Sequence, residues 1–224
     1  MVGKGSVNHN SRTFNAKNTD PERTHLNKEY INEDIKAVYH ELFDEAVERY
    51  NAKQTRQDRC IADYYEKIRS GKQEKPFHEL ILQIGNKDDC GAATPDGEKA
   101  AQILDEYMRG FQERNPTLRV FSAHLHMDEA TPHLHIDFIP FYTQGRKNGL
   151  SKGVSMKAAL DEQGFGAKNF KQNRLVEWEE SERTYMEQLL NKYGFTREDK
   201  NAKYAHQTVD EFKKVASFGS LKKA

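Results

Sequence analysis

Apolar side chains recur at intervals of three and four residues along much of this chain. That spacing places them on one face of an α-helix, so each such stretch predicts an amphipathic helix. Asn32 is predicted to cap the first helix and Thr55 the second, and the Ser70-Gly71 pair to end the second. The predicted helices cover 32–52, 55–69, 98–114, 156–163 and 176–193, with a last helix from Thr208.

Three other stretches predict β-strands. In HELILQIG (78–85) leucines alternate with other residues, and RVFSAHLHMDEATPHLHIDFIPF (119–141) predicts two strands joined by a short polar turn. Pro132 favours that turn, because proline cannot lie inside a central ladder. There is no internal repeat or linker. The chain is therefore predicted to be one α+β domain over 1–224, with helices on one face of an antiparallel sheet and histidines on the other.

The predicted hairpin is rich in histidine. Four of the nine histidines fall within twelve of its residues. Side chains two residues apart on a strand point to the same face. This alternation assigns one face of the first strand to Val120, Ser122, His124 and His126. In the second strand His133 and His135 project together, and folding back at the turn brings His126 beside them.

Three imidazoles converging from two rigid strands predict a metal site, with Asp128 and Glu129 at its rim. The alternative is a solvated, histidine-rich hairpin that binds nothing. Imidazole ligands suit Mn²⁺, Zn²⁺, Ni²⁺ or Co²⁺, and suit Mg²⁺ least. His124 is not counted as a ligand.

Charge and composition restrict the partners. The 35 basic and 35 acidic side chains give a formal net charge of zero, so binding to DNA would require basic residues gathered on one face. The two cysteines form no CxxC pair, which argues against a disulfide framework or a thiolate zinc site. No apolar run approaches the roughly 20 residues that span a bilayer, and the N-terminus lacks the apolar region of a signal peptide. We therefore expect no membrane segment and a cytoplasmic location.

Residues 1–30 show neither helical nor strand periodicity and are predicted to form a long loop, which is either functional or disordered. Two blocks stand out within it, His9-Asn10-Ser11-Arg12 and His25-Leu26-Asn27. A third block, HMDEATPHLH (126–135), matches the pattern HxDExxPHxH without a gap. Together the three blocks resemble the Mob/Pre (MobV-type) family of plasmid mobilisation and recombination relaxases, which are HUH endonucleases.

The resemblance implies an enzyme that nicks single-stranded or supercoiled transfer-origin DNA of a bacterial plasmid or transposon and stays attached to the 5′ phosphate. His126, His133 and His135 would then bind a divalent cation, which the family suggests is manganese, with Mg²⁺ or another divalent ion as alternatives. Two other function classes remain open. One is a metal-dependent phosphodiesterase that uses water, and the other is a DNA-binding module with a structural metal. A covalent adduct with DNA would separate the first class from the other two.

The resemblance implies that His9, the histidine of the HNxR block, is the nucleophile. Tyr30 is the alternative, because relaxases elsewhere use tyrosine. The family's second block has a tyrosine straight after HLN, but in this chain Lys28 takes that place, which weakens the case for Tyr30.

Supporting roles are predicted for three further side chains. Glu129 would accept a proton from His9. Asp128 would act in catalysis or orient a metal-bound histidine. Arg12 would hold a phosphate. The predicted DNA contacts lie in two basic clusters after the hairpin: Arg146, Lys147, Lys152, Lys168, Lys171 and Arg174.

Two features depart from the family pattern. Members open with a strand before the HNxR block, whereas here only residues 1–7 are available for it, so this strand is expected to be very short or missing. Members also continue into a dimerisation region. A homodimer would depend on that region, which is absent or reduced here.

Overall fold

A computed structural model of the chain describes residues 2–3, 6–14, 18–145, 149–166 and 173–197. The strands are β1 (Val2–Gly3), β2 (Lys28–Asn32), β3 (His78–Gln83), β4 (Leu118–His126), β5 (His133–Tyr142) and β6 (Gly153–Val154). The helices are α1 (Val7–Asn10), α2 (Ile35–Asn51), α3 (Tyr64–Ser70), α4 (Pro95–Arg109), α5 (Phe111–Arg114), α6 (Met156–Glu162) and α7 (Arg174–Lys192). The strands form an antiparallel sheet in the order β1-β3-β5-β4-β2, with β6 paired to the end of β5.

Strand β5 is the centre of the sheet, because β3 and β4 both pair with it. Its side chains alternate between the two faces. Leu134, Ile136 and Phe138 lie in one hydrophobic core, and His133, His135 and Asp137 point to the opposite face. The predicted histidine hairpin is thus built from β4 and β5.

Helices α4, α6 and α7 cover the apolar face of the sheet and share its core. Tyr107 of α4 and Trp178 of α7 are almost completely buried there. The ring centroids of Trp178 and Phe138 are 6.1 Å apart. Burying each large apolar side chain contributes about 1.5–3 kcal/mol. The predicted α+β class, with helices covering the face opposite the histidines, is confirmed.

A second helical layer lies on the histidine face, away from the histidines. Val38 and Phe43 of α2 pack against Phe121 of β4 and Ile139 of β5, and α3 adds partly buried side chains to this cluster. The amphipathic pattern predicted α2 but not the surface that it covers. The second layer therefore closes one end of the histidine face.

A β-bulge in β4 changes which side chains face the histidines. Val120 pairs with Phe138 but Ser122 pairs with Asp137, so Phe121 is an extra residue in the ladder. Val120 consequently lies in the apolar core. Its predicted position on the histidine face is wrong.

The predicted helix starts are partly wrong. The N-cap of α2 is Asp34, whose carboxylate accepts a hydrogen bond from a backbone N–H three residues on, whereas Asn32 belongs to β2. Helix α3 begins after Asp63, and the predicted start at Thr55 falls before a short 3₁₀ helix. The predicted end at Gly71 is confirmed.

The predicted helix over 98–114 is two helices, α4 and α5, which meet at Gly110. Helix α4 also begins earlier than predicted, at Pro95. The reason is that the Thr94 side chain caps it, and proline is favoured in the first turn of a helix.

The predicted loop over 1–30 contains β1, α1, a 3₁₀ helix at 24–26 and the start of β2. The strand before the HNxR block is very short, since β1 pairs with β3 over two residues. The predicted helix from Thr208 lies outside the described residues. Among the described helices, none is both long enough and apolar enough to cross a bilayer.

Glu182 of α7 is a buried carboxylate that joins three elements. Its oxygens accept hydrogen bonds from the Tyr107 hydroxyl, from Nη2 of Arg114 at 3.0 Å and from Nδ2 of Asn115 at 3.0 Å. Asn115 in turn accepts a hydrogen bond from Nε1 of Trp178 at 2.7 Å. The buried polar groups of this core thus depend on one carboxylate.

Replacing Glu182 with alanine should lower the free energy of unfolding by about 3 kcal/mol, because it leaves Arg114 and two buried donors without their partner. Urea denaturation followed by circular dichroism measures this loss. Glu180 is exposed on the same helix, and its ion pair among the described residues is with Arg183. Glu180→Ala should therefore change stability by less than about 1 kcal/mol. Equal losses in the two variants would contradict the role assigned to Glu182.

Candidate metal centre

Three histidines of the β4–β5 hairpin meet on one face of the sheet. His126 at the end of β4 is opposite His133, and His135 lies two residues further along β5. The ring centroids are 5.1 Å apart for His126 and His133, 4.9 Å for His126 and His135, and 5.0 Å for His133 and His135. All three side chains are buried. The structure therefore brings together the three residues predicted to be metal ligands.

Each of the three rings has one nitrogen close to an oxygen acceptor. The pairs are His126 Nε2 with the Asn10 carbonyl oxygen at 2.8 Å, His133 Nδ1 with the Thr131 carbonyl oxygen at 2.9 Å, and His135 Nδ1 with Glu79 Oε1 at 2.7 Å. Carbonyl and carboxylate oxygens only accept hydrogen bonds, so these nitrogens carry the proton of the neutral ring. The other nitrogen of each ring then has a free lone pair.

The free nitrogens of two of the rings lie close together, and that of the third is buried. Nδ1 of His126 is 3.3 Å from Nε2 of His133, and Nε2 of His135 is buried without a hydrogen-bond partner among the described residues. Two lone pairs at this distance repel, and an unpaired buried acceptor costs about 1–3 kcal/mol. A divalent cation between these nitrogens would remove both penalties, so the donor set fits a metal ion. Two groups have ligand atoms within 4.8 Å of one another: His126, Glu129 and His133, and His9, His126 and His135.

Burial keeps two of these rings in the neutral form that a metal requires. Removal from water lowers the pKa of His126 to about 3, and the nearby charge of Arg12 acts in the same direction. Burial likewise lowers the pKa of His133. In the metal-free protein both rings are therefore uncharged at neutral pH and need not lose a proton to bind a cation.

His9 lies beside the cluster on the N-terminal arm, defined here as residues 6–14. Its ring centroid is 5.9 Å from that of His126 and 6.0 Å from that of His135. Nε2 of His9 is 3.5 Å from Oε1 of Glu129, and 26% of the His9 side chain is exposed. Burial and the charge of Arg12 lower the pKa of His9, which favours its neutral ring. The ring is thus uncharged, close to the cluster and open to solvent.

Arg12 is bonded within the protein through all three of its guanidinium nitrogens. Nε and Nη2 donate to the two oxygens of Asp128 at 3.1 and 2.6 Å, and Nη2 also donates to Glu129 at 2.8 Å. Nη1 donates to the His9 carbonyl oxygen at 3.2 Å and lies 3.3 Å from Nε2 of His9. In this arrangement the guanidinium is bonded to acceptors of the protein, and its predicted contact with a phosphate stays a prediction. Arg12 fastens the N-terminal arm to the hairpin turn.

Asp128 organises the hairpin turn. Its carboxylate accepts hydrogen bonds from Arg12, from Nδ2 of Asn27 at 2.7 Å and from Oγ1 of Thr24 at 3.3 Å. Asn27 in turn accepts hydrogen bonds from the backbone N–H groups of Met127 at 2.7 Å and Asp128 at 3.2 Å. These bonds lead to the arm and to the HLN block, and the predicted roles of Asp128 in catalysis or in orienting a metal-bound histidine stay predictions.

The residues behind the histidines were not predicted from the sequence. Glu79 of β3 holds His135 and also accepts a hydrogen bond from Nδ2 of Asn10 at 2.9 Å. The same amide donates to Asp137 at 2.9 Å, and burial raises the pKa of Asp137 to about 6. The sequence signal that could have identified Glu79 is its position as a carboxylate within the apolar strand HELILQ. Asn10 was noted only as a member of the HNxR block.

Tyr30 lies on the opposite side of the sheet from the histidines. It packs against the core shared with α4, and its hydroxyl donates to Asp105 of that helix at 2.7 Å. Burial raises the pKa of Tyr30, which disfavours the phenolate. The sheet thus separates Tyr30 from the histidine cluster.

The predicted DNA contacts are only partly within the described residues. Arg146, Lys147, Lys168 and Lys171 lie outside them. Nζ of Lys152 lies 4.8 Å from the centroid of the Phe141 ring. Nε of Arg174 donates to Asp161 of α6, so the structure pairs this arginine within the fold instead of leaving it unpaired for DNA.

The lowered histidine pKa values predict that the metal-free protein is destabilised by acid. The unfolded chain takes up protons near the ordinary value of 6.5, before His126 or His133 can do so in the folded state. The part of the folding stability that depends on these two histidines is therefore fully present above that pH. As the pH falls below it, the free energy of unfolding decreases by about 1.4 kcal/mol per pH unit for each such histidine. The raised pKa of Asp137 acts in the opposite direction but is outnumbered, because burial also lowers the pKa of His9, His78 and His124. Urea denaturation in EDTA at pH 7 and pH 5 tests this, and equal or greater stability at pH 5 would contradict it.

Known proteins match both the sequence and the fold. The Mob_Pre family model, described as plasmid recombination enzyme, matches residues 16–214. A plasmid recombination enzyme of Streptococcus agalactiae is 26% identical over 225 residues, which are 97% of this chain and 37% of that protein. The chain thus spans little more than a third of the length of this curated relative.

Two crystal structures give the structural comparison. A Mn-bound structure of the MobM relaxase domain with plasmid pMV158 oriT DNA at pH 5.5 has a TM-score of 0.51 and 21% identity, and covers 93% of this chain and 90% of that one. A second, at pH 6.5, has a TM-score of 0.49 and 22% identity, and covers 94% and 90%. The first likeness shows a shared fold. Because the family match runs through most of the sequence and includes the histidine hairpin, the chain belongs to the Mob_Pre family of plasmid recombination enzymes.

Proposed function

We propose that this chain is the relaxase domain of a plasmid mobilisation and recombination enzyme, formed as one domain by residues 1–224. It makes a site- and strand-specific nick at a transfer origin and remains attached to the 5′ phosphate through His9. The observation that carries this proposal is the position of His9 beside a cluster of three buried imidazoles, in which two free nitrogens lie 3.3 Å apart and the third has no hydrogen-bond partner among the described residues. The fold relative MobM is bound to oriT DNA, which supports the substrate class.

His126, His133 and His135 would hold a divalent cation. Manganese is the proposed ion, because imidazole suits it better than Mg²⁺ and the MobM structures are Mn-bound. Such a cation supplies positive charge next to a non-bridging phosphate oxygen, where negative charge builds up in the transition state.

His9 is the proposed nucleophile. A bond forms between a nitrogen of its neutral ring and phosphorus while the bond from phosphorus to the 3′ oxygen breaks. The ring then loses its proton, and Oε1 of Glu129 is placed to accept it. The 3′ oxygen takes up a proton and leaves as a hydroxyl. Arg12 holds the His9 carbonyl and the Glu129 carboxylate together, so the nucleophile and the proton acceptor are positioned as one unit.

The location of Tyr30 supports this choice of nucleophile. Tyr30 would have to cross the sheet to reach a phosphate held by the histidines, and its hydroxyl is already bonded to Asp105. His9 needs no such movement, since its ring is within about 6 Å of two of the proposed ligands.

The proposed substrate is single-stranded or supercoiled origin DNA in the cytoplasm of a plasmid-bearing bacterium. Lys152 remains a proposed contact from the described residues, and Arg146, Lys147, Lys168 and Lys171 remain predictions from sequence. Nucleic acid binding through such residues would weaken with added salt, as counterions compete for the phosphates.

Replacing His133 or His135 with alanine should weaken Mn²⁺ binding by more than about 100-fold. This loss is larger than the loss of about 10- to 100-fold that is usual when a residue that orients a metal ligand is replaced. Each change removes one of the lone pairs that face the centre of the cluster. Isothermal titration calorimetry measures the affinity directly. His124→Ala is the matched control, because His124 is buried on β4 with its ring 6.4 Å from that of His126 but is not a proposed ligand. Unchanged affinity in both ligand variants would contradict the site.

Replacing His9 with alanine should leave metal and DNA binding intact but abolish the covalent adduct, whereas Tyr30→Phe should still nick. The adduct is trapped on origin DNA with Mn²⁺, digested, and located by mass spectrometry. A phosphoramidate on histidine is lost in mild acid, whereas a phosphodiester on tyrosine persists. A nucleotide found on Tyr30, or an acid-stable adduct, would overturn the assignment of His9. Nicking with no adduct at all would favour a water-dependent phosphodiesterase.

A further inference from the structure

Asn10 is the residue through which the N-terminal arm meets the histidine cluster. Its side chain is 1% exposed. Its amide nitrogen donates to Oε1 of Glu79 and to Oδ2 of Asp137, both at 2.9 Å, and its carbonyl oxygen accepts from Nε2 of His126 at 2.8 Å. A single residue of the arm thus contacts the polar network behind the cluster and one ring of the cluster itself.

These contacts influence two of the three proposed ligands. The Asn10 carbonyl keeps the proton of His126 on Nε2, which leaves the Nδ1 lone pair facing the cluster. The Asn10 amide shares Oε1 of Glu79 with Nδ1 of His135 and so fixes the carboxylate that orients that ring. If the arm left the cluster, both rings would lose part of the support that points their lone pairs inward.

The arm cannot keep its shape without these contacts. Helix α1 has four residues, whereas isolated helices shorter than about 12 residues are marginal in water. The arm is fastened by side chains, chiefly by Asn10 to the sheet and by Arg12 to the hairpin turn. Its docked state is therefore an equilibrium that other contacts can shift.

We propose that Asn10 is a positioning residue that couples docking of the N-terminal arm to binding of the metal. With the arm docked, the His126 and His135 rings are oriented to receive a cation. By thermodynamic linkage, a bound cation stabilises the docked arm to the same extent, and with it the position of His9. The proposal rests on the metal site of the proposed function and adds that the nucleophile is fixed in place as the metal binds.

The chemistry of the site explains an asparagine at this position. An amide nitrogen has two hydrogens, and here each donates to a different carboxylate. An aspartate would place a third carboxylate against Glu79 and Asp137, and an alanine would leave both without this donor. Either change should favour the undocked arm.

Asn10→Ala should weaken Mn²⁺ binding about 10- to 100-fold although it removes no ligand, since this is the usual effect of losing a residue that orients a ligand. Isothermal titration calorimetry at pH 7 gives the affinity, and circular dichroism confirms that the variant is folded. Asn8→Ala is the matched control, because Asn8 lies on the same helix with an exposed side chain. Asn8→Ala should bind like the wild type. An Asn10→Ala variant that also binds like the wild type would overturn the coupling.

A second measurement needs no substitution. The backbone amides of residues 9–13 are hydrogen-bonded within the arm, so their hydrogen exchange reports its docking. Saturating Mn²⁺ should slow their exchange in the wild-type chain. Unchanged exchange in the arm, with the metal bound, would overturn the coupling even if Asn10→Ala failed to fold.

The outcomes separate this proposal from the metal site on which it rests. If His133→Ala binds Mn²⁺ as tightly as the wild type, the metal site itself is wrong. If His133→Ala loses binding but Asn10→Ala does not, the site stands and only the coupling fails. None of these measurements requires DNA or nicking activity.

Discussion

The proposed site depends on one constraint, which is that each of three buried imidazoles must have a partner for one ring nitrogen while the other nitrogen stays free for a ligand. A buried ring meets this constraint only if the nitrogen that faces away from the cluster has a hydrogen-bond acceptor. The acceptors come from three separate parts of the chain: Asn10 of the arm, Thr131 of the turn and Glu79 of β3. The sheet order, with β3 and β4 on either side of β5, is what brings these parts together.

The sequence predicted the features that depend on local periodicity. The two-residue repeat of a strand was enough to place His133 and His135 on one face, and the spacing of apolar side chains was enough to predict α2, α4 and α7. It could not predict that Glu79 would stand behind His135, because that contact depends on the pairing of two strands more than fifty residues apart. Nor could it place the second helical layer, since an amphipathic helix does not specify which apolar surface it covers.

Arg12 shows a further limit of inference from sequence. An arginine in a motif next to a proposed nucleophile suggests a phosphate contact, because guanidinium groups bind phosphate well. The same geometry suits carboxylates equally well, and Asp128 and Glu129 take up its donors. The sequence correctly predicted that the guanidinium of Arg12 binds an anionic group. Which group it binds depends on how the arm folds back on the turn. In this structure Arg12 holds the backbone of His9, the proposed nucleophile, and its contact with the substrate stays a prediction.

The bulge at Phe121 also affects which sequence changes the family can accumulate. With this extra residue, β4 directs Ser122, His124 and His126 to one face and Ala123 and Leu125 to the other. Loss or gain of one residue between Val120 and His126 would reverse that assignment. The imidazoles would then lie in the apolar core, and the aliphatic side chains would be exposed on the other face. Loops of this fold can change length during evolution, but this short segment cannot. When relatives are aligned, gaps should therefore be absent from it even where identity is low.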